Sequence, residues 1–299
     1  MDVVVIGAGP AGMVAAARAA DLGARVTLVT RDEFGGMAAN DGPVPVRTLA
    51  YAARLLRGTG QLARYGIGIG TARLDYAQLL RRAREITDDV REHAAFRGEI
   101  HSLGVTVHER TGVARFADPH TIETESGLRL HADRVILCAG GVSRRLTVPG
   151  AELTATHSDA WSLTDVPPSM IVVGAGMTGV QVASIFQTFG SQVSLLQKGP
   201  RILPSEDAEV SAAVTAGFRA SGMIVRVEFG AIESVEKSSG GIRMTLSKNG
   251  AREVLEASLC VTAIGWVADA DRLNLGAAGV EQNSRGYVCL LYTSDAADE

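Results

Sequence analysis

Two stretches of this chain have the residue types and spacing that grip a pyrophosphate. They are Val3-Val4-Val5-Ile6-Gly7-Ala8-Gly9-Pro10-Ala11-Gly12 and Ile171-Val172-Val173-Gly174-Ala175-Gly176-Met177-Thr178-Gly179. Each runs from four or so apolar residues through G-x-G-x-x-G into a helical run. The first glycine makes the tight turn, the second lets the backbone approach a pyrophosphate, and the third lets helix and strand pack closely. The helix then presents free N–H groups and the positive end of its dipole to the phosphates. One such motif is weak in a chain with 34 glycines. Two with the same grammar imply two dinucleotides, and two dinucleotides imply electron transfer between them.

These turns need parallel strands and packed helices to hold them. The apolar patterning predicts a strand over 2–6, a helix over 11–22 closed by Gly23, and a strand over 25–29. Residues 35–46 read as a Gly/Pro-rich loop and 47–57 as helical. A charged amphipathic helix follows over 74–96, with Leu79, Ala83, Ile86, Val90 and Ala94 on one stripe and its charges solvated. Short strands are expected over 105–108, 113–116, 121–123 and 129–130, then an apolar strand over 133–138. Val166-Pro167-Pro168-Ser169 reads as a linker. Beyond it the grammar repeats: strand 170–173, helix 179–189, Gly190, strand 192–196. Segments 225–229, 231–236, 242–246 and 259–264 complete a second unit. The expected fold class is α/β, with two Rossmann-like dinucleotide-binding domains, the second inserted in the first.

Composition narrows the partners. The 299 residues are 46% hydrophobic, enough for two ordinary cores, and the net charge of -4 argues against nucleic acid or an anionic membrane. No apolar run is long enough to span a bilayer. A strand beginning at Asp2 leaves no room for a signal peptide, and Cys138, Cys260 and Cys289 lack metal or redox spacing. A reducing cytoplasm is the expected location. The six histidines lie apart and are assigned no chemistry.

The order of motifs resembles the pyridine nucleotide–disulfide oxidoreductases, in particular the dihydrolipoamide dehydrogenase and mercuric reductase branch, over nearly all of residues 2–288. The resemblance makes the first turn (Gly7, Gly9, Pro10, Ala11, Gly12) an FAD site and the second (Gly174, Gly176, Met177, Thr178, Gly179) a site for NADPH or NADH. Val135-Ile136-Leu137-Cys138-Ala139-Gly140-Gly141 is similar to the strand that returns to the flavin, which adds Ala139, Gly140 and Gly141 to the expected FAD contacts. Gly112-Val113-Ala114-Arg115-Phe116 is similar to the adenine-side ribbon and adds Ala114. Ala263-Ile264-Gly265 resembles the segment closing the nicotinamide domain; Ala263, Gly265 and Val235 are expected on that side. The implied domains are 1–155 and 276–288 for FAD and 156–275 for NAD(P)H. A homodimer is implied for the full-length form.

The departures from the family carry more information. Its loop has the form Gly-Gly-x-Cys-x-x-x-x-Cys, and here Gly35-Gly36-Met37-Ala38-Ala39-Asn40-Asp41-Gly42-Pro43 puts Ala38 and Pro43 at both cysteine positions. Thiol–disulfide exchange needs a thiolate, which neither residue supplies. Gly36 and Met37 remain expected flavin contacts. The family's Lys beside the flavin is Arg47 and its Glu partner is Gln181, so a permanently charged fork faces a neutral amide; tuning of the flavin and drift after loss of the disulfide both stay open. The carboxylate expected about 20 residues past the first turn for a ribose hydroxyl is Thr30, followed by Arg31. At the second turn it is Gln197, with Lys198 and Arg201 nearby, which favours NADPH; plain loop charge is the alternative. Trp266 replaces a family Arg and is expected to pack at the domain junction, with stacking over a nicotinamide as the alternative.

The implied function is hydride transfer from NAD(P)H to FAD, with the nicotinamide C4 against flavin N5. Arg47 and Gln181 are the candidate catalytic residues. Electrons would then pass to a small-molecule acceptor other than a disulfide: a quinone, a pyridine nucleotide, a metal ion or O2. A flavin-based sensor without turnover, or a disulfide reductase using cysteines beyond this sequence, are the alternatives. Residues 289–299 resemble an in-frame translation of a sequencing adapter. The expectation is therefore a truncated chain with an artefactual tail, lacking a last FAD contact and holding FAD poorly.

Overall fold

Strand Asp2–Ile6 is buried along four of its five residues because both of its faces are covered. Val3 and Val5 point into one cluster with Ala8, Met13, Ala16, Leu28 and Phe34. Val4 and Ile6 point into another with Val29, Phe116, Ile122 and Leu273. An unbroken apolar run is what a parallel strand covered on both sides requires. In this computed structural model, residues 1–94 and 97–289 are described. The strand lies inside a four-stranded parallel sheet, ordered Thr106–His108, Arg25–Val29, Asp2–Ile6, Arg134–Leu137. Helix Pro10–Asp21 crosses one face. A small antiparallel sheet of Ala114–Asp118, Thr121–Thr124 and Arg129–His131 supplies Phe116 and Ile122 to the other.

The second unit repeats this construction. Its five-stranded parallel sheet runs Ile224–Val227, Gln192–Gln197, Ser169–Val173, Leu259–Thr262, Ala155–Thr156. Met170 and Val172 face Val182 and Phe186 of helix Met177–Phe189, and Ile171 and Val173 face Val235, Met244 and Cys260. Each fully buried side chain of this size stabilises the fold by about 1.5–3 kcal/mol.

Two compact units form: Met1–Pro43, Thr87–Val142 and the stretch from Trp266 make one, and Val44–Ile86 with Ser143–Gly265 the other. Residues 44–86, placed in the first domain by the linear reading, pack on the second unit's core through Val46, Leu49, Ala53 and Tyr76. The chain returns to the first unit at Trp266, ahead of the expected 276.

The predicted elements are found with small shifts at their ends. The expected loop over 35–46 is a correction: Gly36–Asn40 is helical and a helix of 20 residues, Pro43–Leu62, begins before that loop was to end. Pro43 and Pro45 fall in its first turn, where a missing N–H costs nothing. The helix expected over 74–96 runs Tyr76–Asp89 and continues as a π turn, Val90–Ala94. Helix Ala208–Ala220 and strand Ala251–Ala257 were not anticipated. No helix among the described residues is long and apolar enough to cross a membrane. The expectation for the tail falls, beyond Cys289, outside the described residues.

Candidate dinucleotide cradles

The two glycine turns share a set of backbone hydrogen bonds. At the end of strand Asp2–Ile6 the chain bends at Gly7 (φ +107), whose N–H donates to the Val29 carbonyl at 2.8 Å. A Cβ on Gly7 would lie 2.1 Å from the Cys138 carbonyl oxygen, and one on Gly12 1.7 Å from that of Gly7. In the second unit Gly174 (φ +96) donates to Leu196 at 2.8 Å. Cβ atoms on Gly174 and Gly179 would lie 2.4 Å from the Ala263 oxygen and 1.8 Å from the Gly174 oxygen. In both units, therefore, the first and third glycines leave no space for a side chain. The middle glycines differ from them. Gly9 would meet only the Gly36 Cα, at 3.9 Å, and Gly176 nothing within 4 Å.

That open space is what a pyrophosphate needs. Gly9 and Gly176 are the N-caps of helices Pro10–Asp21 and Met177–Phe189, and no side chain caps either helix. The first N–H groups thus point outward unclaimed, beside the exposed Pro10, Ala11 and Met177 and the half-buried Thr178. The loops beyond are also anchored alike: Gly35 donates to the Ala8 carbonyl (2.9 Å) and Leu203 to that of Ala175 (2.7 Å).

The loop that replaces the family's cysteine pair is held by residues from afar. Glu109 accepts the Phe34 N–H (3.0 Å) and pairs with Arg97, whose guanidinium lies 5.6 Å from the centre of the Phe34 ring. Asn40 donates to the Glu33 and Phe34 carbonyls and accepts from Arg91 Nε at 2.5 Å. Sequence reading did not single out Glu109, Arg91, Arg97 or Asn40, because partners 50 to 75 residues apart leave no local pattern. Ala38 is half-buried, Met37 exposed and Pro43 exposed. Gly36 (φ +57) lies against Gly9.

The positions expected beside the riboses lie at the ends of strands Arg25–Val29 and Gln192–Gln197. Thr30 is buried; its N–H donates to His108 and its carbonyl accepts from the Thr111 N–H and hydroxyl. Arg31 is bound by Asp32 (2.8 Å) and Asp269 (2.9 Å), and the bond to Asp32 above all raises its pKa. Gln197 accepts the Ala175 N–H at 3.0 Å. Lys198 is exposed, and Arg201 is half-buried with Nη2 on the Pro204 carbonyl (3.0 Å).

Other expected residues fare less evenly. Gly140 (φ +74) is exposed and accepts the Asp269 N–H at 3.2 Å, while Gly141 packs on the Val267 carbonyl. Ala139 is half-buried, and Ala263 donates to Val173 (2.7 Å) at the mouth of the second turn beside the exposed Gly265. Two more of the expected residues turn their side chains into the cores. Val235 is 2% exposed in the core of the second unit, and Ala114 is 5% exposed in that of the first; strand alternation turns both side chains inward. Arg47 and Gln181 are both exposed and no hydrogen bond joins them. Among the described residues the cysteines are free: Cys260 is buried, which pushes its thiol up to about 12, and burial also raises that of Cys138.

Comparison with known proteins agrees with this construction. A family model described as pyridine nucleotide-disulphide oxidoreductase matches residues 1–291. The dihydrolipoyl dehydrogenase of Chlorobaculum tepidum is 32% identical over 293 residues, covering 96% of this chain and 61% of its own length. The mercuric reductase of Lysinibacillus sphaericus is 28% identical and covers 97% of this chain and 52% of its own. This chain thus spans between about half and three fifths of these relatives. Among solved structures, the HOCl-induced flavoprotein disulfide reductase RclA from Escherichia coli superposes with a TM-score of 0.81. Its identity is 22%, over 97% of this chain and 62% of that one, a likeness of fold.

Proposed function

Since the chain belongs to the pyridine nucleotide-disulphide oxidoreductase family, whose members use FAD and NAD(P)H, we propose a flavoprotein that oxidises NAD(P)H and delivers electrons to an acceptor other than a disulfide. The loop sequence carries this reading: Ala38 and Pro43 stand where the family's cysteines would be. A dithiol relay needs two sulfurs within bonding reach. The three cysteines are unpaired, and the thiols of Cys138 and Cys260 are biased against the thiolate.

The cradles fit the two cofactors by their shape. Gly7, Gly9, Ala11 and Gly12 would hold the FAD pyrophosphate, with Gly36 and Met37 beside it. Gly174, Gly176, Thr178 and Gly179 would hold that of the nicotinamide nucleotide. Flavin, when bound, supplies the hydride-accepting chemistry. The chain supplies orientation through backbone N–H groups that need no rearrangement. Two electrons then leave for a quinone, a second pyridine nucleotide, a metal ion or O2; a quinone would also take two protons. A reducing cytoplasm and a homodimeric assembly belong to the same proposal.

Anaerobic titration with NADPH tests it. Flavin absorbance should bleach without the long-wavelength band that thiolate and flavin give together, and quinone should support repeated turnover while lipoamide does not. Appearance of that band, or turnover confined to lipoamide, would overturn it.

A further inference from the structure

We infer that the second cradle selects NADPH over NADH, because its strand end offers hydrogen-bond donors where a ribose-binding carboxylate would stand. The inference rests on the pyridine-nucleotide reading of that cradle. Strand Gln192–Gln197 runs parallel to Ser169–Val173 with Leu196 opposite Val173, so Gln197 projects beside the glycine turn. Its Oε1 already accepts the Ala175 N–H at 3.0 Å. The amide folds back over its own loop, with Nε2 only 3.4 Å from where a Gly199 Cβ would sit. Nε2 makes no hydrogen bond among the described residues.

A carboxylate here would accept from both hydroxyls of an adenine ribose and repel a 2′-phosphate. Gln197 carries no charge to repel a phosphate. One lone pair of its Oε1 is taken by the Ala175 N–H, and both Nε2 donors are free among the described residues. Lys198 follows, exposed and with no carboxylate within ion-pair distance among the described residues. Arg201 uses one nitrogen on the Pro204 carbonyl and keeps the rest of its fork. Donors with positive charge and no carboxylate suit a phosphate dianion, which makes charge-assisted bonds about twice as strong as neutral ones.

The first cradle provides an internal control. It also lacks the carboxylate, having Thr30 and Arg31, but Arg31 is held by Asp32 and Asp269. An anion placed there meets a cation already neutralised. Only the second strand end combines a missing acid with free cations. Glu228 reaches the same loop through its N–H, which donates to the Gly199 carbonyl (3.1 Å), but its exposed side chain is bonded to none of residues 197–201.

Calorimetry with 2′,5′-ADP and 5′-AMP tests the preference without needing flavin or an acceptor. The 299-residue chain should bind 2′,5′-ADP at least roughly tenfold more tightly, with the advantage shrinking as salt rises. Lys198→Ala should weaken 2′,5′-ADP roughly tenfold and leave 5′-AMP unchanged. Gln197→Glu, checked for an unaltered melting temperature, should erase or invert the preference. Equal binding of the two probes, or a preference untouched by both substitutions, overturns the inference while leaving the cradle intact. Binding of neither probe overturns the cradle itself.

Discussion

Gly36 and Gly9 touch backbone to backbone: a Cβ on Gly36 would fall 2.6 Å from the Gly9 Cα and 3.1 Å from its nitrogen. The loop that lost its cysteines is thus still part of the first turn's wall. Gly36→Ala would meet two penalties, the clash and a left-handed backbone at φ +57. Gly140→Ala isolates the second, because Gly140 has φ +74 and nothing within 4 Å. The left-handed penalty is about 1–2 kcal/mol, a few degrees of melting temperature in a chain of this size. Gly36→Ala should lower the melting temperature by clearly more than Gly140→Ala. Equal effects would mean that the contact between loop and turn contributes nothing.

The middle and last glycines of the second turn separate binding from folding. Gly176 has φ −75 and open space where a Cβ would go, so Gly176→Ala should fold with stability within about 1 kcal/mol of the parent. The new methyl enters the space that a pyrophosphate must approach, so nucleotide affinity should fall at least roughly tenfold. Gly179→Ala would drive its methyl to 1.8 Å from the Gly174 oxygen and should lose both binding and native melting. A Gly176→Ala protein that binds 2′,5′-ADP normally would move the phosphate site away from this turn.

Much of this was readable in the sequence, and the exceptions have physical causes. Both glycine turns and the strands flanking them are local: period, apolar runs and tight spacing lie within about ten residues. The inward side chain of Val235 was not readable, because a resemblance places a residue in sequence and says nothing of which face it turns; strand alternation decides that. The loop 35–46 was misread because Gly and Pro signal breaks, yet Pro43 and Pro45 start a helix. The hairpin into Ala251–Ala257 did carry a legible sign, since Asn249 and Gly250 both have positive φ, as a two-residue hairpin turn requires. Glu109, which secures the loop from 75 residues away, carried none.

Glu109 makes the loop's tether testable. Phe34 is fully buried, and Glu109 accepts its N–H while pairing with Arg97. Glu109→Ala leaves that N–H unmatched and should destabilise the first unit by about 1–3 kcal/mol. Glu109→Gln keeps an acceptor and should cost less than half as much. Urea melts of the two variants give the comparison. Indistinguishable losses would show that the ion pair, and not the bond to Phe34, is the tether.

The sulfur-free route predicts inert thiols. With Cys289 replaced by Ser, the remaining two of the three cysteines are Cys138 and Cys260. Burial raises both thiols, that of Cys260 to about 12, so at pH 8 only about one Cys260 in ten thousand is thiolate. The native protein should react with Ellman's reagent at far below the rate of a free thiol, and fully after denaturation. Replacing both by Ser should leave NAD(P)H-driven quinone turnover within about twofold. Loss of turnover with Cys138→Ser alone would bring sulfur back into the mechanism.

Tyr76 gives the second unit an alkaline limit. It opens helix Tyr76–Asp89, 9% exposed, with its ring edge-on to Phe189 at 5.9 Å and its hydroxyl without a hydrogen-bond partner among the described residues. Burial first, and then the negative charge of Asp165, pushes the phenol up to about 12. The unfolded chain ionises near pH 10. Below that pH both states are neutral and stability is unaffected. From about pH 10 to 12 the unfolded state releases a proton that the folded state keeps, so stability falls through this window by about 2–3 kcal/mol. Tyr76→Phe removes both the titration and the unmatched hydroxyl. It should stabilise the unit by about 1 kcal/mol at pH 8 and flatten the decline above pH 10 in urea melts. A variant less stable at pH 8 would show that the hydroxyl has a favourable partner.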